Sequence, residues 1–150
     1  MVSDRALQAE SDRVTYPAML PREIAVWRAW LALHQGEYDR FDYNVRVGPG
    51  YDPGPGVAQY VRDSAKASTR QRIDAVAYRG DSVLIVEVKD RAGLSALGQL
   101  LGYSTHYRRE NPVSSPPKLL LVARDLAPGV AEALQAHGVP FEIVNPLSGP

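Results

Sequence analysis

A chain of 150 residues, 45% hydrophobic and 23% charged, is long enough to bury a sizeable core as a single domain. Its 17 basic residues balance its 17 acidic ones, so no overall basic field advertises a polyanionic partner, although a local patch could still serve one. The absence of cysteine excludes disulfides, iron–sulfur clusters and cysteine-type zinc sites, and His34, His106 and His137 show no metal-ligand spacing.

Residues 1–20 are polar and weakly periodic, and we expect a flexible N-terminal arm there. The chain start lacks a basic-then-apolar leader, and no apolar run approaches membrane-spanning length; the expectation is a cytoplasmic protein with no membrane partner. "LPREIAVWRAWLALH" predicts a helix with Pro21 at its start, where a missing N–H costs nothing. Ile24, Trp27 and Leu31 with Val26, Trp30 and Leu33 give it broad apolar coverage. "FDYNVRV" predicts a strand, stopped by the Gly/Pro-rich "GPGYDPGPG"; residues 57–67 form either a short helix or an ordered loop.

"RIDAVAYRGDSVLIVEVKD" predicts a hairpin turning at Gly80-Asp81, with Gly supplying the positive φ of a type II′ turn. That loop sets Arg79 opposite Ser82 and Asp74 opposite Glu87, with Lys89 on the same face beside Val76, Tyr78, Val83 and Ile85. Ile73, Ala75, Ala77, Leu84, Val86 and Val88 are assigned to the other face. A helix follows at "GLSALGQLLGYSTHYRRE", then a loop, the strand "KLLLVA", the helix "APGVAEALQAHG" ending on Gly138, and the strand "PFEIV". The order αβββαβαβ predicts an α/β sandwich whose mixed sheet is antiparallel first and continues through a crossover helix. One domain over 21–146 and a tail at 147–150 complete the division.

Two carboxylates facing each other in an apolar hairpin repel, and burial adds a desolvation cost. The arrangement makes sense if a divalent cation sits between Asp74 and Glu87, with Lys89 reaching its water or a substrate phosphate. Oxygen ligands suit Mg²⁺ or Mn²⁺. The alternative is a structural ion cluster at the sheet edge.

Asp74, followed by Glu87-Val88-Lys89 closing the next strand, resembles the PD-(D/E)XK nuclease superfamily, with Ile73 standing where a proline is usual. Gln99-Leu-Leu-Gly-Tyr103 resembles the Gln-x-x-x-Tyr motif of its RecB-like branch. "LLLVARDLAPGVAEALQAHGVPFEIV" is similar to the catalytic domain of mismatch-specific endonucleases. The resemblance spans about residues 21–145 and implies a restriction-endonuclease-like three-layer sandwich that hydrolyses nucleic-acid phosphodiesters with Mg²⁺ or Mn²⁺; the leading expectation is a DNase, and the sequence does not separate DNA from RNA. Asp74, Glu87 and the Val88 carbonyl would hold the metal, and Lys89 would orient water and stabilise charge on the phosphate. Gln99 would face the water or Lys89, and Tyr103 the substrate backbone.

Gln99 and Tyr103 share a helix face, flanked by Ala96, Leu100 and Tyr107, with Leu94, Leu97, Leu101 and Ser104 opposite. Glu23, in the first turn of the first helix, is a candidate additional acid for the metal; the helix dipole alone would also favour an acid there. Arg62, Lys66, Arg70 and Arg72 before the hairpin, with Arg108 and Arg109 after the Gln/Tyr helix, are candidates for nucleic-acid contact. Two rival functions are a Holliday-junction resolvase and a non-catalytic nucleic-acid-binding or assembly module on the same fold. Specificity would come from a homodimer, a partner protein or the 48–70 insertion.

Overall fold

The computed structural model describes residues 16–146; residues 1–15 of the expected arm and the 147–150 tail lie outside them. Helix α1 (Pro21–Leu33) starts on its proline and places Val26, Trp27, Trp30 and Leu31 in the interior. Trp27 and Trp30 stack at 4.8 Å, and their indole N–H groups donate to the Tyr43 hydroxyl and to Glu142. Burying both rings with their polar edges satisfied contributes on the order of several kcal/mol. Leu33, expected inside, is 68% exposed at the last position of the helix, one turn past Trp30.

The expectation of a loose arm fails over residues 16–20. Tyr16 and Met19 are buried against the same aromatic cluster, with Tyr16 edge-on to Tyr43 at 4.8 Å. A turn whose Met19 N–H donates to the Tyr16 carbonyl brings the two side chains together.

Strand β1 (Arg40–Val47) leads through the Gly/Pro loop to helix α2 (Gln59–Thr69), so the ambiguous segment is helical and the element order gains a member. None of the α2 side chains is buried. Strands β2 (Gln71–Arg79) and β3 (Ser82–Ala92), helix α3 (Ser95–Glu110), β4 (Lys118–Leu126), α4 (Val130–Ala136) and β5 (Phe141–Ile143) complete the chain. The sheet runs β1-β2-β3-β4-β5, with the first three strands antiparallel and β3, β4 and β5 parallel. The α1 aromatics cover one face, while Leu100, Tyr103 and Tyr107 of α3 and Val130 and Leu134 of α4 cover the other, giving three layers. Among the described residues no helix is long and apolar enough to cross a membrane.

The hairpin turn is as expected: Arg79 pairs with Ser82, and of the two loop residues only Gly80 has positive φ, at 56°. The β2–β3 ladder then stops at Ala75–Val86. At the next position Asn44 of β1, beside Asp74, takes φ of 54°, a left-handed conformation that Asn tolerates better than most residues. The pleat changes phase there. Tyr43 and Ala75 pack on the α1 face, but Val45 and Ile73, the next pair, pack on the α3 face. Simple alternation had put Ile73 with Ala75; the phase change at Asn44 and Asp74 reverses it.

Candidate active site

Where the ladder stops, β2 and β3 part into a fork, and Asp74 and Glu87 lie at its base. Asp74 takes over a main-chain role: its Oδ2 accepts the Val88 N–H at 2.8 Å. That bond fixes the carboxylate in the plane of the sheet, aimed toward β3. Glu87 is only 2% exposed, and Lys89 Nζ approaches its Oε1 to 3.3 Å. The sequence-derived trio is therefore brought together.

The electrostatics are those of two acids forced into one site. Burial, then the charge of Glu87, push the Asp74 carboxyl far above the usual carboxylate range, against the opposing Val88 hydrogen bond. Burial likewise raises Glu87, outweighing the pull of Lys89, Asp74 and Tyr103. Two like charges this close and this buried resist simultaneous ionisation, which favours the protonated form of Asp74. Burial works to lower Lys89, but the charges of Glu87 and Glu23 prevail and hold it as an ammonium.

The residues fit a divalent cation. Glu87 Oε2 and Gln99 Oε1 are buried with no hydrogen-bond partner, a condition that costs about 1–3 kcal/mol per group. A cation with its bound water supplies what hard oxygen acceptors lack, and reverses the cost of two adjacent negative charges. Among the described residues no third acid or histidine completes a cluster of three.

Helix α3 crosses this face of the sheet with Gln99 and Tyr103 over Glu87. Tyr103 is buried, and its hydroxyl interacts with both Glu87 and Gln99; burial and the Glu87 charge keep it protonated. Tyr103 and its neighbours Ala96, Leu100 and Tyr107 are buried; of the residues assigned to the other side Leu97 is buried as well, whereas Leu94 and Leu101 are 61% and 40% exposed. Gly102, inside the motif, leaves room for Gln71: a Cβ there would meet Gln71 Oε1 at 3.3 Å.

Glu23 is buried but committed, its Oε1 accepting the Leu20 N–H at 3.0 Å across the first turn of α1. Its charge still reaches Asp74 and Lys89. A cleft of about 530 Å³ lies between this helix start and the end of β3, lined by Glu23 and Lys89 among others.

The candidate basic residues separate into two groups. Arg62 forms a fork on Asp52, with Nε donating to Oδ1 at 3.0 Å and Nη2 to Oδ2 at 2.8 Å. Arg70 donates to the Gly48 carbonyl at 2.8 Å and pairs with Glu110, and Lys66 lies 3.9 Å from Asp63. These three hold the insertion together. Arg72, Arg108 and Arg109 are exposed, the last two beside Thr105 around a shallow hollow. Sequence reasoning missed Asn44, whose Oδ1 is also buried without a partner. The signal was present: Asn is depleted inside strands and tolerant of positive φ.

No family model and no curated protein matches the chain. Among solved structures, a repair endonuclease from Pyrococcus abyssi is similar at 20% identity with a TM-score of 0.43, over 68% of this chain and 40% of that one. EndoMS in complex with double-stranded DNA matches at 21% identity and 0.44, over 69% and 40%. A protein of unknown function matches at 12% identity and 0.48, over 80% and 56%. The chain thus spans less than two thirds of the length of each of these neighbours.

Proposed function

We propose that this chain is a metal-dependent nuclease that hydrolyses DNA phosphodiester bonds, in repair, recombination or the processing of mobile elements. The observation that carries the reading is Glu87: a carboxylate 2% exposed, opposed by a second acid, with one oxygen left without a partner. A fold gains nothing from such a group, which costs stability unless a ligand completes it.

Asp74, Glu87 and the Val88 carbonyl would hold Mg²⁺ or Mn²⁺, which when bound acidifies water and polarises the phosphate. The chain's own groups do the rest. Lys89, kept charged by Glu87 and Glu23, stands half-buried at the fork, where an ammonium stabilises negative charge growing on a phosphate. Gln99 offers its unpaired carbonyl oxygen to orient a water by accepting a hydrogen bond from it. Tyr103 remains a phenol and donates its proton toward Glu87, limiting that side chain's motion.

The test is incubation of the purified chain with linear, circular single-stranded and branched DNA in Mg²⁺, Mn²⁺ or EDTA, beside Glu87→Ala. Metal-dependent cutting that falls roughly 10²–10³-fold or more in the variant is the expected result. A folded protein that neither binds metal nor cuts would make Asp74 and Glu87 a structural pair.

A further inference from the structure

Arg46 of β1 and Arg72 of β2 are direct cross-strand partners. Residues so paired project from the same face with Cβ atoms about 5 Å apart. Both are exposed, and among the described residues neither has an acidic partner. Arg40 is paired with Asp42, Arg62 with Asp52, Arg70 with Glu110 and Arg124 with Asp90, whereas Arg79, Arg108 and Arg109 share the lack of an acidic partner; what sets Arg46 and Arg72 apart is that they are paired with each other across the sheet. Like charges directly opposite each other destabilise a sheet, so the fold itself does not call for this pair.

Its position supplies the reason. Arg72 precedes Asp74 by two residues, about 7 Å along the strand. The phase change at Asn44 and Asp74 turns Val45 and Ile73 to the α3 face, which leaves Arg46 and Arg72 on the α1 face, the side of the Glu23–Lys89 cleft. We infer that Arg46 and Arg72 jointly bind a backbone phosphate of the nucleic acid, flanking the one attacked, on the β2 side of the fork. Two guanidinium groups present the paired N–H donors that match phosphate oxygens, and the bound anion cancels their mutual repulsion. The inference deepens the nuclease reading and rests on it.

The experiment measures binding of a short DNA duplex to a cleavage-blocked Glu87→Gln parent across a salt series, with Arg46→Ala, Arg72→Ala and the double variant added to it. Arg79→Ala, an exposed arginine at the hairpin turn on the far end of β2, controls for the loss of one charge. Each fork arginine should weaken binding several-fold and flatten the log–log salt slope by roughly one, with no loss of Tm, whereas Arg79→Ala should do neither. A duplex bound by the double variant as tightly as by the parent, or weakened equally by Arg79→Ala, overturns the paired phosphate site and leaves the nuclease reading standing. A fall of several degrees in Tm would make the arginines structural and also overturn it. A parent that binds no duplex, single-stranded or branched DNA at any salt concentration sinks the nuclease reading and this inference together.

Discussion

Two clusters of polar side chains sit at the packed faces of the sheet, and they are built on opposite terms. On the α1 side, His34 faces Glu37 at 2.7 Å and Glu142 at 2.8 Å, Glu142 also accepts the Trp30 N–H at 2.8 Å, and the His34 ring stacks on Trp30. Each ring nitrogen there has a carboxylate partner. At the fork, two acids of like charge share a site, and Glu87 and Gln99 keep acceptors that nothing answers. A cluster that closes on itself can be explained by the fold. One that stays open has to be explained by something the fold does not contain.

The largest test of that contrast is Asp74→Asn. The amide keeps an oxygen for the Val88 N–H but removes the like charge, so cleavage should fall roughly 10²–10³-fold while the metal-free protein becomes more stable. The sign follows from the raised pKa of Asp74 in the folded state. Its metal-free contribution to stability is complete below the unfolded value near 4 and is lost as pH rises through the folded value. Melting in EDTA should therefore show equal Tm values at acid pH and a gain for the variant at pH 8 of about 1–3 kcal/mol, or several degrees. Mg²⁺ should raise the wild-type Tm at pH 8 and leave that of the variant alone. A variant that melts lower at pH 8 would place Asp74 in the closed class.

Gln99→Leu should act in the same sense but less strongly. Removing an unanswered buried carbonyl should hold or slightly raise Tm, while kcat drops about tenfold for want of a group to orient water. Parallel loss of Tm and kcat would mean that Gln99 only packs.

The smallest expected effect comes from Glu142→Gln, in the closed cluster. Burial works to lower the His34 pKa, but its hydrogen bonds to Glu37 and Glu142 and their charges raise it. The raised His34 supplies stability that is whole below pH 6.5 and fades as pH rises through the folded value. The substitution should cost about 1 kcal/mol at pH 6, less at pH 8.5, and leave cleavage untouched. Equal losses at both pH values would show that the cluster does not hold a charged imidazole.

Much of the site could be read in advance because one short turn propagates. Gly80-Asp81 fixes the hairpin register as far as Ala75 and Val86, which delivers Asp74 and Glu87 to the positions just past the last pair. What alternation could not show is where the pleat breaks, since a single residue at positive φ exchanges the faces of everything beyond it. Ile73 was misplaced for that reason, and Arg46 escaped notice because its face depends on the break and its partner on a β1–β2 register that no short turn fixes. The two sides of α3 were also hard to rank, because Leu101 looks like core and Gln99 like surface until Glu87 is beneath them. Among the arginines, composition cannot tell Arg62, spent on Asp52, from Arg72, which has no acidic partner among the described residues.

The clasp of Gly48, Arg70 and Glu110 has a consequence for how the molecule could change over generations. Gly48 donates its N–H to Glu110 at 3.0 Å and lends its carbonyl to Arg70, so the two ends of the excursion through α2 are fastened at one point. No α2 side chain enters the core. Closing a longer excursion across the same anchor costs little, about 0.6 kcal/mol for each doubling of its length. The segment between the anchors can therefore be lengthened, shortened or exchanged while the fork of Asp74 and Glu87 stays intact, making it the cheapest place for this fold to acquire a new preference.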